Sequence, residues 1–195
     1  MNTNTRQYKN MNKRHLIGIL FFLLINTINH VSAQEMPILE MTTYSSKLSK
    51  PDLTPNVSIY KDGVIEIYRP IYMKNSGLFS GQLNREQLSE IHQLMDSLEQ
   101  FDVIKAEENY INADLNESGS TDLAFYNSET IITQFIINRT GHSSSSEQLF
   151  LAESARVKST RFTHLKDWKM FADAELMMMA LSESLNLTRI GDANE

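Results

Sequence analysis

The stretch VSIYKDGVIEIY, Val57 to Tyr68, decides the fold. Val57 and Ile59 alternate with Ser58 and Tyr60, and beyond Lys61-Asp62-Gly63 the pattern resumes as Ile65 and Ile67 against Glu66 and Tyr68. A period of two sends alternate side chains to opposite faces of a strand. An Asp-Gly between two such runs signals a hairpin, because glycine accepts a positive φ without steric cost. The stretch therefore predicts two antiparallel strands sharing one apolar face.

Working outward, Ile38 to Tyr44 (ILEMTTY) reads as a first strand, and Leu48 to Asn56, with Pro51 and Pro55, as a break. Downstream, GLFSGQLNREQLSEIHQLMDSLEQF introduces a helix. Asn84 and Gln87 have the spacing of a capping box. Leu88, Ile91, Leu94 or Met95, Leu98 and Phe101 recur every three to four residues and give one apolar stripe, suited to lying on a sheet. Leu123–Tyr126 and Thr130–Ile137 form an expected antiparallel pair around Asn127-Ser128-Glu129. The run Ile131, Ile132, Phe135, Ile136, Ile137 is too apolar for an exposed edge, so this strand should be central. GHSSSSEQLFLAESARVK from Gly141 is ambiguous; Ser144 with Glu147 is one way to cap a short helix there. A second apolar helix follows, with Trp168, Phe171, Ala174, Met178, Leu181 and Leu185 on one face. The tail 188–195 is polar and is expected to fray. Strands in adjacent hairpins rather than in β-α-β alternation predict an α+β domain. Its expected form is an antiparallel sheet of four to six strands with two main helices packed on one face.

The N-terminus reads as an export signal. Arg6, Lys9, Lys13 and Arg14 make a basic start, Leu16–Ile25 an apolar core, and Val31-Ser32-Ala33 a small-residue cleavage motif. The apolar run is shorter than the about 20 residues of a membrane-spanning helix. Asn26, Thr27, Asn29 and His30 end it early, which favours cleavage over an uncleaved anchor. No cysteine follows it, which argues against a lipid-anchored form. The expected organisation is a signal peptide 1–33 and one domain 34–195, periplasmic or secreted from a bacterium. Losing the four basic residues of the leader leaves 14 Lys+Arg against 24 Asp+Glu, so the formal charge moves from −6 to −10. So acidic a chain is repelled by nucleic acid and by anionic membranes. The absence of cysteine removes disulfides, zinc–thiolate sites, iron–sulfur clusters and thiol nucleophiles at once. Sequons at Asn56, Asn116, Asn138 and Asn186 carry little weight in a chain so rich in Asn and Ser.

Chemical motifs are sparse. NADLNESGSTD (Asn112–Asp122) places Asn112, Asp114 and Asn116 at positions one, three and five of a calcium-loop template. The sixth position holds Glu117 instead of glycine and the twelfth holds Leu123 instead of a bidentate Glu. A polar connecting loop is the first reading of this segment and a weak cation site the alternative. Met177-Met178-Met179 cannot converge on one copper ion, since consecutive helical side chains diverge by about 100°. Gly141-His142-Ser143-Ser144-Ser145 lacks the second glycine of a nucleophile elbow. His92 lies beside an apolar stripe; His164 with Asp167 suits a helix start; Glu107-Glu108 suits a solvated face. No catalytic residue, cofactor or metal is assigned.

The segment from Val57 to about Ile137 resembles the DUF6438-type exported bacterial domain of unknown function. The likeness rests on IYKDGVIEIY, on SGQLNREQLSEIHQLMDSLEQFDVI, on Tyr110, and on Ser120-Thr121-Asp122. It covers under half of the chain and implies this fold, with no activity attached. The expected function is a non-catalytic binding or interaction module acting on a protein or peptide of the bacterial envelope, with Tyr44, Tyr60, Tyr68 and Tyr72 as the candidate surface. The alternatives are an inhibitor or immunity-type protein that blocks an enzyme, or a divergent hydrolase using His142 or His164.

Overall fold

The computed structural model describes residues 35–118, 130–142 and 147–193. The expected leader, the expected strand Leu123–Tyr126 with its turn, and the serines of 143–146 lie outside these residues. From Met36 onward the chain is one compact unit. Its elements are β1 (Leu39–Ser45), β2 (Val57–Ile59), β3 (Val64–Arg69), β4 (Gly77–Gln82), α1 (Arg85–Leu98), α2 (Val103–Ser118), β5 (Ile131–Ile137), β6 (Gln148–Glu153), α3 (Ala155–Arg161), α4 (Lys166–Ser184) and β7 (Thr188–Gly191). The strands form a single antiparallel sheet in the order β6-β5-β1-β2-β3-β4-β7. The α+β class stands; the sheet has seven strands rather than four to six, and there are four helices among the described residues.

The hairpin that organised the sequence is β2–β3, with Val57 opposite Ile67 and Ile59 opposite Ile65. Gly63 turns with φ +85°, and the Asp62 carboxylate accepts from the Val64 amide at 2.9 Å, which closes the turn. Across the sheet Leu39, Met41, Val57, Ile59, Ile65, Ile67, Phe135, Ile137 and Ala152 share one face. They join Ile91, Met95 and Leu98 of α1 and Trp168, Phe171, Ala174, Met178 and Leu181 of α4 in one buried cluster. The capping box of α1 forms as expected, with Asn84 Oδ1 accepting from the Gln87 amide and Gln87 Oε1 from the Asn84 amide, both at 2.9 Å. Helix α4 crosses the sheet from β5, where Phe171 meets Phe135, to β3, where the Ser182 carbonyl accepts from Arg69. Its 19 residues reach about 28 Å at 1.5 Å per residue. That length carries the chain from the β6 edge to the opposite edge, where β7 pairs with β4.

Three expectations change. The lead-in GLFSGQ is strand β4, not a prelude to the helix. A Cβ at its Gly81 would come within 2.9 Å of Leu187 Cδ2, so that side chain would have to shift. Of the tail expected to fray, Thr188–Gly191 is edge strand β7, held by backbone pairing with almost no buried side chain, so it leaves no apolar pattern to read. The polar connector 112–118 is the last part of α2. This helix exposes Ile104, Ile111 and Leu115 and buries Asp114, an inversion that hides it from hydrophobic periodicity. Strand β5 is interior, as expected, with β1 and β6 as its partners along nearly its whole length. The segment that read as ambiguous supplies β6 and the short α3.

Trp168 is fully buried, and its Nε1–H donates to the Ala106 carbonyl at 2.9 Å. Trp168→Ala is expected to cost about 3–5 kcal/mol, against about 1 kcal/mol for the cap variant Asn84→Ala. Urea denaturation of both variants checks the order; a Trp168→Ala loss no larger than that of Asn84→Ala would contradict the packing described.

Candidate functional site

Among the described residues no helix covers the second face of the sheet. Strand pairing sets its side chains in rows. One row runs Leu149, Ile136, Glu40, Ser58, Glu66, Ser80; the next holds Leu151, Gln134 and Thr42; a third holds Glu153, Ile132 and Tyr44. The β5–β6 side of this face is apolar, with Leu149 60% and Leu151 40% exposed and Ile132 and Ile136 half-buried beside Tyr44. The middle is polar. Ser58 Oγ donates to Glu40 at 3.3 Å and the Tyr60 hydroxyl to Glu66 at 3.0 Å. Burial, with the Glu66 hydrogen bond and charge, pushes the Tyr60 phenol up to about 12. Burial likewise raises the Glu40 carboxyl above its ordinary value, against the Ser58 hydrogen bond.

The helix-bearing side holds the second candidate, a cavity of about 650 Å³ lined by Ile131, Ser154, Ala155, Arg156, Val157, Thr160, Arg161 and Glu175. Ser154 makes the reversal from β6 into α3 in the left-handed region, at φ 53°. Arg161 pairs with Asp114 and Lys158 with Glu107, so α3 is fastened to α2. Glu175 is only 5% exposed; its carboxylate accepts from Thr133 and stands 3.9 Å from the Arg156 guanidinium. Burial raises its pKa above the ordinary 4.5, and Thr133 and Arg156 offset this only in part.

The residues singled out in the sequence scatter between these places. Tyr44 and Tyr60 lie on the helix-free face. Tyr68 lies there too, but it is 6% exposed and hydrogen-bonded to Asp52, so it belongs to the packing of the preceding loop rather than to a contact surface. Tyr72 stands off the sheet in the β3–β4 connection with Ile71 and Met73, all exposed. Asn112, Asp114 and Asn116 ride on α2, where spacings of two point side chains to opposite sides. Asp114 faces Arg161 while the two asparagines face outward. His92 is on α1, His142 follows β5 and His164 precedes α4; all three are exposed, and none lines the cavity. Glu107 is held by Lys158 and Glu108 is exposed. Met178 is fully buried, with Met177 at its margin and Met179 exposed. The side chains of two sequon asparagines are engaged internally, Asn56 with Thr43 and Asn138 with the Gly141 amide.

Sequence reading missed Glu175, Thr133 and Arg156. One signal was available: Glu175 falls four residues after Phe171 and three before Met178, a carboxylate on an apolar stripe. Comparison with family models, with curated proteins and with solved structures gives no match to this chain.

Because burial raises the Glu175 pKa, the folded chain binds that proton more tightly than the unfolded chain. Its stabilising contribution is complete below 4.5 and is lost as pH rises through the folded-state value. Glu40 acts with the same sign. Glu175→Gln is therefore expected to flatten the decline in urea midpoint from pH 4.5 toward neutrality. Midpoints of variant and parent across that range check this; parallel curves would refute it.

Proposed function

We propose that the chain is an exported, non-catalytic binding module whose partner, a protein or peptide of the bacterial envelope, docks on the helix-free face of the sheet. The observation that carries this reading is the contiguous patch of Leu149, Leu151, Ile132, Ile136 and Tyr44, on a face that no other described element covers. Exposed apolar side chains grouped in this way mark interaction sites more often than isolated ones do. Glu40, Glu66 and Glu153 rim the patch, so the fitting partner presents apolar residues flanked by cations. The basic start, apolar core and small-residue motif of residues 1–33 support export. The hairpin and capped helix support kinship with the DUF6438-type domain.

A second reading, an inhibitor or immunity-type protein, draws on the projecting Ile71, Tyr72 and Met73, of which Tyr72 is 77% exposed. A loop of that form would enter an enzyme cleft. The hydrolase reading has less support, since no histidine reaches the one buried carboxylate of the cavity.

Tagged protein recovered from the envelope fraction, with the same experiment on Leu149→Glu/Ile136→Glu, Tyr72→Ala and Ile104→Glu, separates the readings. Loss of a specific partner from the sheet-face variant alone is the expected result. Loss from Tyr72→Ala alone favours the inhibitor. Loss from Ile104→Glu, on the far side of α2, with the sheet-face variant unaffected, excludes the sheet face.

A further inference from the structure

The short helix α3 carries three cations, and two of them are committed to α2. Lys158 faces Glu107 and Arg161 faces Asp114. The third, Arg156, is different. Its carboxylate neighbour is Glu175 at 3.9 Å, beyond hydrogen-bond length, and its side chain is 53% exposed. A guanidinium has five N–H donors in a planar fork, so Arg156 keeps most of its donor capacity toward the cavity. Glu175 is not the competing anchor. It is nearly buried, already accepts from Thr133, and has a cation beside it. The walls supply the apolar part, since Ile131 and Val157 are 40% and 46% exposed at its lining.

We propose that this cavity is a second ligand site, which takes a small amphipathic carboxylate with its anionic group on Arg156 and its apolar body against Ile131, Ala155 and Val157. The site goes beyond the sheet-face reading and lies on the opposite, helix-bearing side of the sheet. A monoanion fits because one fork is available and the fork matches a carboxylate in two parallel hydrogen bonds. A cationic ligand would meet the half-exposed Arg156 before the nearly buried Glu175. The volume, about 650 Å³, is in the range of roughly 300–1,000 Å³ typical of small-molecule sites. The acidic character of the whole chain does not prevent entry, because charges more than about 8 Å away are largely screened at physiological ionic strength.

The test is titration of the purified protein with decanoate, with decan-1-ol, and with N-acetyl-phenylalanine. Methyl resonances of Ile131 and Val157 are followed beside calorimetry. Decanoate or N-acetyl-phenylalanine should shift those methyls, and the better carboxylate should bind at least tenfold tighter than decan-1-ol. The ranking of the two assigns the natural source, an acyl chain or a peptide C-terminus. Arg156→Gln should abolish the preference over the alcohol in protein that still unfolds cooperatively, and Arg156→Lys should recover part of it. Carboxylates that leave both methyls unmoved, or that bind Arg156→Gln as tightly as the parent, would overturn the proposal. So would equal affinity for decanoate, N-acetyl-phenylalanine and decan-1-ol.

Discussion

The bond from the Trp168 indole to the Ala106 carbonyl anchors the helical layer. Around that indole, Phe101 and Tyr110 stand edge-on at 5.8 and 6.5 Å, and Phe101 passes the contact to Phe171, which meets Phe135 of β5. One chain of rings thus joins α2, the α1–α2 connection, α4 and the sheet. Lys158 lies 4.1 Å over the Trp168 ring, so α3 is drawn to the same point. Fully burying aromatic surface of this kind is the largest contribution a single residue makes to a core. Because all of it gathers on one side, the helices pack there, and among the described residues the other face carries none. Both candidate surfaces follow from that asymmetry.

How much of this was legible depended on whether side chains or backbone held the element. Val57–Tyr68, the Asn84 cap and the Trp168 stripe declare themselves because each is fixed by residue type at a set spacing. Strand β7 is fixed by backbone pairing with β4, Thr188 opposite Ser80 and Arg189 opposite Phe79, and such pairing writes nothing into side-chain polarity. Helix α2 misled for the opposite reason. Its Asn112-x-Asp114-x-Asn116 looks like a loop because Asp, Asn and Ser favour turns, yet Arg161, far away in sequence, gives Asp114 a reason to be inside. The candidate site was less legible still. The tyrosines formed a plausible set by type, but only register tells that Tyr44 and Tyr60 share a face, and only the Asp52 loop tells that Tyr68 is spoken for. Glu175 was visible as an anomaly on its stripe, whereas its pairing with Thr133 needed the fold.

The two surfaces differ in chemistry. On the helix-free face, apolar side chains sit beside carboxylates, which is the chemistry the proposed partner would have to match. In the cavity, Arg156 stands half-exposed beside the buried Glu175, while Lys158 and Arg161 are paired with α2. Screening keeps the electrostatics of each surface local.

Strand β4 is made early and its outer neighbour β7 late, with α1, α2, β5, β6, α3 and α4 between them. Until that last partner arrives, β4 presents an open row of amide and carbonyl groups, the kind of template on which foreign strands add. The β1–β5 pairing is also distant along the chain, and such non-local closure is slow. The domain therefore has an interval of vulnerability set by its order of assembly, during which a chaperone that shields β4 would guard it against aggregation.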